Sequence, residues 1–422
     1  MREAIKEIFV HPMQRVPGVL YEPEETAARN RIAVLVMHSD EDYLTFCTGR
    51  ELAKRGFCCL CANMPCKEGF FWTQPEKMPV IDGCVRFLRN LQGVEKVILM
   101  GHSGGATTMS AYQAIAENGV SVFQGKEKIL PHPDTELLLP ADGVMLLDPN
   151  FGNAYCQLCS LDPAIVDEQS GKNMDVTLDL YAEENGFREN GCSYSEEFIN
   201  RFMAAQSARN MRVLNHALER FSAIQQGAGA YDDDETITIP GGAQGFFNNK
   251  EFVTRRHLSH TAAPQKLLHA DGSITLEPVQ ALQHSHFSRS YTASHKDGAR
   301  ITTVKTYLTS YAVRTFTNYG SNETSIWGID WSSTYNSPVP NMEHVSCPVL
   351  ITGMTAGVNP VQIEIIYNHT ASKDKDLVYI EGADHLFCPA AHLEAFPGQF
   401  GDTMKLHHDY IAGWLSYPGR FL

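Results

Sequence analysis

The feature that most limits how this chain can fold is the stretch VILMGHSGGATTMSAYQAIAENG at residues 97–119. An apolar run of strand length enters a turn that holds Gly101, Ser103 and Gly105, and a helical pattern follows at once. A G-x-S-x-G sequence between a buried strand and a helix is typical of a strained turn that displays a serine hydroxyl. Glycines flank such a serine because larger side chains would clash with the strand and the helix. The stretch therefore predicts a strand, a tight turn and a helix, with Ser103 at the corner.

The same alternation of strands and helices extends over residues 1–150 and returns from residue 347. Continuous apolar runs are typical of strands that are covered on both faces. The predicted strands are 5–10, 18–23, 31–39, 57–63, 96–101, 143–150, 347–353 and 376–385. The predicted helices are 43–56, 79–93, the segment between Ser103 and Gly119, 360–371 and 406–415. Strands that alternate with helices form a parallel sheet with helices on both faces.

Residues 151–337 have a different texture, which is polar and rich in histidine and glycine. Helical spacing predicts one helix over 197–221 and a second over 297–316. The segment is too long to be a loop. We therefore expect a second, mainly helical domain that is inserted between residues 1–150 and residues 338–422.

Charge and composition exclude several classes of partner. The net charge of −15 argues against nucleic acid, because phosphate binding needs clustered Lys and Arg. The N-terminus is charged, without the apolar core of a signal peptide, and no run approaches the roughly 18 apolar residues of a membrane span. We expect a cytoplasmic protein with a small-molecule substrate and no membrane partner, and leave a homodimer open. Cys156 and Cys159 form a lone C-x-x-C without a second pair, so neither a metal nor another cofactor is expected.

With this serine turn and this alternation, the chain resembles the α/β-hydrolase superfamily. The resemblance covers roughly residues 1–150 and 338–422, and CPVLITG (347–353) and IEGADHLF (380–387) resemble the last two strands of the family. It implies a mostly parallel α/β-hydrolase sheet with helices on both faces. Residues 151–337 would then be a large, mainly helical cap domain inserted after the sixth strand.

The resemblance also implies a base for the serine. A serine hydroxyl is a poor nucleophile unless a neighbouring base removes its proton. His385 follows the last predicted strand, where the family keeps its catalytic histidine, and it is the candidate base for Ser103. His102 projects away from the serine by the geometry of the turn, so it is interpreted as a pocket-wall, substrate-binding residue or as a packing residue.

The acid that would orient His385 is open between two residues. The family usually places this acid a few residues past the seventh strand, but GMTAGVNP (353–360) has no carboxylate. Asp148 ends the sixth strand in LLDPN, where some members carry the acid. Glu364 lies in the helix after the seventh strand and has the longer side chain. We favour Asp148 because of its short reach from a neighbouring strand end, although an Asp before Pro149 is also a common turn residue.

An oxyanion hole needs two backbone N–H donors. One should come from Gly104, which follows the candidate nucleophile. The other should come from the turn MHSDED (37–42), at Ser39 or Asp40. Six aromatic residues of the insertion are candidates for pocket lining, although packing inside the insertion explains any one of them: Phe246, Phe247, Tyr307, Tyr311, Trp327 and Trp331.

These residues predict a serine hydrolase that cleaves an ester or lactone bond of a bulky small organic substrate through an acyl-enzyme. One alternative is an amide or carbon–carbon bond hydrolase with the same Ser–His site. Another is a non-catalytic, ligand-binding member of the fold, which the missing acid after the seventh strand favours.

Overall fold

The computed structural model of this chain describes residues 5–24, 28–66, 72–188, 193–242, 258–282 and 298–422. Its strands are β1 (Ile5–Val10), β2 (Gly18–Pro23), β3 (Ile32–Met37), β4 (Cys58–Ala62), β5 (Lys96–His102), β6 (Gly143–Leu147), β7 (Thr236–Pro240), β8 (Gln265–Leu268), β9 (Ile274–Glu277), β10 (Ala299–Thr303), β11 (Arg314–Ser321), β12 (Ile326–Asp330), β13 (Val349–Ala356) and β14 (Lys375–Asp384). Its α-helices are α1 (Cys47–Lys54), α2 (Gln74–Arg89), α3 (Gly105–Asn118), α4 (Asn153–Ser160), α5 (Glu196–Gln225), α6 (Val304–Ser310), α7 (Pro338–Met342), α8 (Pro360–His369) and α9 (Thr403–Leu415).

One large sheet organises the molecule, with the strand order β1-β2-β4-β3-β5-β6-β13-β14-β8-β9. The strands from β4 to β8 in this order are parallel, whereas β1 and β2 at one edge and β9 at the other are antiparallel to their neighbours. The prediction of a mostly parallel sheet is therefore confirmed. Because parallel strands end at the same edge, the turns after β3, β5, β6, β13 and β14 lie along one rim of the sheet.

The apolar strands are buried because helices cover both faces of this sheet. In β3, Ala33 and Leu35 pack into one core cluster, whereas Ile32 and Val34 pack into a second cluster on the opposite face. Helices α2, α3 and α8 line the first cluster, and α1 and α9 line the second. This two-sided burial explains why the strand sequences are continuously apolar.

The boundaries of the elements follow local capping signals. Helix α2 begins at Gln74, five residues before the predicted start, because Thr73 and Glu76 form a reciprocal capping box. Pro75 then occupies the first turn, where its missing N–H is tolerated, and Pro79 lies inside the helix. The sequence prediction took Pro79 as the start of the helix and so missed its first turn.

The segment 151–337 contains one long helix and two small ribbons of strands. The 30 residues of α5 include the predicted helix at 197–221. The prediction of a single helix over 297–316 is wrong, because β10 pairs with β7 and only the next seven residues form α6. The β-branched run Ile301–Thr303 favours the strand, since pairing with β7 outweighs the helical spacing of the apolar residues.

Two strands from this middle segment join the main sheet. β8 pairs in parallel with β14, and β9 closes that edge as its antiparallel neighbour. The proposed division into 1–150, 151–337 and 338–422 remains a prediction, and residues 265–277 contribute to the sheet from inside the proposed insertion. Within the described residues, no helix combines the length and the apolarity needed to cross a bilayer.

Buried histidines should make the fold sensitive to acid. His408 in α9 bonds the Met404 carbonyl through Nδ1 (2.9 Å), so its Nε2 accepts from the Thr48 hydroxyl (3.1 Å) and the ring is neutral. Burial lowers the pKa of His408 from 6.5 to about 4. Below pH 6.5 the unfolded chain therefore binds a proton that the folded chain does not. We expect the free energy of unfolding to fall from pH 6.5 to 4, by about 1.4 kcal/mol per pH unit for each such histidine.

Urea unfolding between pH 7 and pH 4.5 measures this slope. His408→Gln should reduce it, because the variant removes one group that takes up a proton on unfolding. Replacement of the exposed His11 by Gln is the control and should leave the slope unchanged. An equal slope in His408→Gln and the wild-type protein would contradict the interpretation.

Candidate active site

The predicted serine turn joins β5 to α3. Ser103 has φ 53°, in the left-handed region that non-glycine residues rarely occupy. A methyl group on Gly101 would come 2.5 Å from the carbonyl oxygen of Gly105, and one on Gly105 would collide with the carbonyl oxygen of Met37. The glycines therefore let strand β5, helix α3 and the end of β3 approach closely. This approach displays the Ser103 side chain at the start of α3.

Asp148 follows β6 and is completely buried. Its carboxylate accepts the backbone N–H groups of Met354 (3.0 Å) and Val358 (2.9 Å). Gly357 lies between them, and a Cβ there would overlap the carboxylate. The end of β13 and the turn after it, which have no acid of their own, thus provide one amide donor each and a gap for the acid of the neighbouring strand.

His385 follows β14 and contacts this acid. Its Nδ1 lies 2.5 Å from Asp148 Oδ2. Burial raises the pKa of Asp148 above its usual value, and the hydrogen bonds from His385 and the two amides oppose that shift by favouring the ionised form. The His385 side chain is 38% exposed, so one side of the ring remains open to a ligand.

Glu364, the other candidate acid, lies elsewhere. Its buried carboxylate accepts the N–H groups of Ala262 (2.6 Å) and Ala263 (3.0 Å) and the side-chain amide of Gln265 (2.8 Å). These contacts hold the segment that leads into β8. Of the two acids that the sequence left open, the structure therefore puts Asp148 on His385 and leaves Glu364 as an anchor for the edge of the sheet.

The Ser103 hydroxyl accepts a long hydrogen bond from Asn150 Nδ2 (3.5 Å). Within the described part of the chain, no hydrogen bond joins this hydroxyl to His385. His102, which precedes Ser103 in the chain, packs against His385, and the centroids of the two rings are 4.5 Å apart. Asn150, two residues after Asp148, was not among the predicted site residues.

His102 is only 1% exposed and uses both ring nitrogens inside the protein. Its Nε2 lies 2.7 Å from the carbonyl oxygen of His385, and its Nδ1 lies 2.5 Å from the Tyr43 hydroxyl. Since a carbonyl only accepts, Nε2 carries the hydrogen and Nδ1 accepts from Tyr43. Burial lowers the pKa of His102 well below its usual value, which keeps the ring neutral. The structure thus supports the packing interpretation of His102, as a support beneath His385, and not contact with substrate.

The two predicted sources of oxyanion donors lie side by side. Ser39 Oγ is 2.7 Å from the position that a Cβ of Gly104 would occupy. The Asp40 and Glu41 N–H groups donate to His38 Nδ1 at 3.1 and 3.0 Å, whereas the N–H groups of Ser39 and Gly104 have no partner among the described residues. Of the two candidates in this turn, the Asp40 N–H is therefore already engaged, whereas the Ser39 N–H is not engaged by any described residue.

His38 holds this turn in place. Because its Nδ1 accepts two amides, its hydrogen is on Nε2, and burial lowers its pKa to about 4. The Asp40 carboxylate pairs with Lys77 Nζ at 3.2 Å, and the Lys77 side chain is only 3% exposed. No sequence motif marked Lys77, which lies on a helix whose buried face is otherwise mostly apolar.

The aromatic residues that were candidates for pocket lining differ in their exposure to solvent and in their neighbours. Tyr307 is fully buried and Tyr311 is 8% exposed, whereas Trp327 is 42% exposed. Trp331 packs against the rings of Phe151 and Tyr155. Phe246 and Phe247 lie outside the described residues.

The turns after β5, β6 and β14 thus bring a serine, a carboxylate and a histidine to one rim of a parallel sheet, in the chain order Ser, Asp, His. This is an α/β-hydrolase fold. Its acid follows β6, and not β13.

Several solved structures are similar to this chain over most of their length. They include a complex of DcsB with its substrate analogue (10% identity, TM-score 0.44, 99% of both chains) and the siderophore hydrolase EstB from Aspergillus fumigatus (10%, 0.41, 99% of both). A third is Est1E from Butyrivibrio proteoclasticus (11%, 0.36, 97% of both). No family model and no curated protein matches the chain. Similarity at this level says nothing about the substrate.

The gap at Gly357 offers a test of the acid's position. Gly357→Ala should push the Asp148 carboxylate away from His385, because the new Cβ would overlap it. We expect the rate of ester hydrolysis to fall at least about tenfold, as a displaced triad acid leaves the histidine badly oriented. The matched control is Gly413→Ala in α9, where nothing lies within 4 Å of the added Cβ. If both variants kept wild-type rates, Gly357 would have no part in placing the acid.

Proposed function

We propose that the protein is a serine hydrolase that cleaves an ester or lactone bond of a bulky small organic substrate through an acyl-enzyme intermediate. The observation that carries this proposal is the 2.5 Å contact between the buried Asp148 carboxylate and His385 Nδ1, beside the turn that displays Ser103. The missing acid after the seventh strand was the one feature that favoured a non-catalytic protein. The contact of Asp148 with His385 supports the catalytic alternative over the non-catalytic one.

In the proposed acylation step, the Ser103 hydroxyl turns from Asn150 towards His385 Nε2. His385 removes the proton as Ser103 Oγ attacks the carbonyl carbon, and Asp148 keeps the Nδ1 hydrogen in place and stabilises the imidazolium. The negative charge on the carbonyl oxygen is stabilised by the N–H groups of Gly104 and Ser39. His385 then gives its proton to the leaving alcohol.

In the proposed deacylation step, His385 removes a proton from water as the water oxygen attacks the acyl carbon. His385 then returns this proton to Ser103 Oγ as the acyl–Oγ bond breaks and the acid is released. The residues of the insertion would cover the substrate, exclude bulk water and select its shape. The reaction needs only the side chains and amides named above. Amide and carbon–carbon bond cleavage would use the same residues, so the residues alone do not distinguish the three bonds. A panel of p-nitrophenyl esters, amides and β-diketones does.

Covalent labelling tests whether Ser103 is a nucleophile. A fluorophosphonate probe should label the wild-type protein within minutes, because an activated serine attacks the phosphorus atom. Ser103→Ala should abolish labelling, while replacement of the neighbouring buried Ser110 in α3 by Ala should not. Folded protein that resists the probe would favour the non-catalytic alternative.

Two conservative substitutions test which acid serves His385. Asp148→Asn should lower kcat by roughly 10²-fold or more, since the amide cannot stabilise the imidazolium in the same way. Glu364→Gln should lower the melting temperature but keep kcat near the wild-type value, because its carboxylate bonds three donors and none of them is His385. A large loss of kcat in Glu364→Gln alone, measured on folded protein, would contradict the assignment.

A further inference from the structure

Among the residues that the structure describes, Arg300 has no counter-ion. It lies in β10 opposite Ile239 of β7, on the face of the ribbon that also carries Ile237 and the buried Thr302. Its guanidinium stacks over the Tyr311 ring, 4.4 Å from the ring centroid. Its Nε is buried without a hydrogen-bond partner, and within the described residues no hydrogen bond or ion pair engages the group. A half-buried charge without a partner is unfavourable unless a ligand completes it.

Other arginines of the insertion have partners. Arg209 is fully buried and forms a two-pronged pair with Glu168, and Arg220 forms one with Glu235. A structural role for a buried arginine in this part of the chain is therefore accompanied by a carboxylate. Arg300 differs because it has only a ring beneath it.

Contacts connect the elements around Arg300 to the candidate nucleophile. The carbonyl of Thr309, at the end of α6, accepts from the side-chain amide of Asn336. The carbonyl oxygen of Asn336 lies against Gly152, only 2.3 Å from the position that a Cβ of Gly152 would occupy. The Gly152 N–H donates to Asn150 Oδ1 (2.8 Å), and Asn150 Nδ2 contacts the Ser103 hydroxyl. This chain of contacts therefore links the end of α6, next to Tyr311, to the Ser103 hydroxyl.

Charges support this arrangement. Burial raises the pKa of Tyr311. The positive charge of Arg300 opposes this shift, whereas the carboxylate of Asp40, in the turn after β3, adds to it. Arg300 also favours the thiolate of Cys156 in α4, although burial raises the pKa of that thiol to about 12. The Asp40 charge is balanced by Lys77. The Arg300 charge thus lies close to Tyr311 and Cys156, and no carboxylate among the described residues balances it.

Further polar atoms around Arg300 lack partners. Gln157 Oε1 in α4, and the Tyr307 hydroxyl and Ser310 Oγ in α6, are buried without a hydrogen bond. Buried polar atoms in native proteins are normally bonded to protein, water or ligand. Several of them on the two helices beside an unpaired guanidinium indicate a polar occupant. A guanidinium fork matches a carboxylate, which accepts two parallel hydrogen bonds.

We propose that Arg300 binds a carboxylate group of the substrate, so that the enzyme prefers esters that carry a second, anionic end over neutral esters of equal length. This inference rests on the proposed serine-hydrolase function and names the substrate class of the same site. Tyr311 would hold the guanidinium in place.

A matched pair of substrates tests the preference. The wild-type protein should cleave mono-p-nitrophenyl adipate with a higher kcat/KM than p-nitrophenyl hexanoate, which has the same chain without the carboxylate. Arg300→Gln should lower kcat/KM for the adipate ester by roughly 10²-fold, as loss of one partner of a buried charge pair does, and change the hexanoate value less than threefold. Arg300→Lys should fall between them. Arg212→Gln, which removes a 53% exposed guanidinium, is the control and should change neither value.

Binding supplies a readout that does not need turnover. In Ser103→Ala protein, calorimetry should detect monoethyl adipate, and adding Arg300→Gln should weaken that binding by at least tenfold. Equal losses on the anionic and neutral esters, or binding that survives Arg300→Gln, would overturn the carboxylate site while leaving the hydrolase intact. Failure of the wild-type protein to cleave any ester or to react with a fluorophosphonate would instead reject the proposed function, and the calorimetry would still decide whether Arg300 binds a carboxylate.

Discussion

The contact between Asp148 and His385 is the interaction on which the rest of the site depends. A carboxylate that is completely buried is costly unless several hydrogen bonds stabilise it, and Asp148 has two backbone N–H groups and one imidazole. These donors come from the end of β13, the turn after it and the turn after β14, so the acid is satisfied only when β6, β13 and β14 are in register. The same requirement fixes His385 beside the serine turn.

A second constraint is the crowding at the start of α3. Glycines at 101 and 105 allow three backbone segments to approach within distances that a methyl group would prevent. Beneath this turn, the neutral ring of His102 connects the Tyr43 hydroxyl to the His385 backbone. The serine side and the histidine side are therefore held by one buried polar network, while the reacting faces stay accessible.

The charges around the site divide into balanced and unbalanced groups. Lys77 pairs with Asp40 in the turn after β3, and Glu168 pairs with the buried Arg209 in the middle segment. Arg300 has no such neighbour among the described residues, although the chain as a whole carries a net charge of −15. The proposed selection of an anionic substrate rests on this half-buried cation, which no described carboxylate balances.

From local patterns alone, the sequence predicted strands β1 to β6, β13 and β14, most of the helices and the serine turn, because each is encoded by apolar periodicity and glycines within a few neighbouring residues. It did not predict β7 to β12, which all lie in the middle segment of the chain. It also identified both Asp148 and Glu364, but only the tertiary structure decided between them, since the decision depends on which strand ends meet. The helix expected over 297–316 became a strand and a short helix because β10 pairs with a segment about 60 residues earlier. The partners of Arg300, and the lack of a counter-ion, are likewise properties of distant segments that meet in space, which no local pattern records.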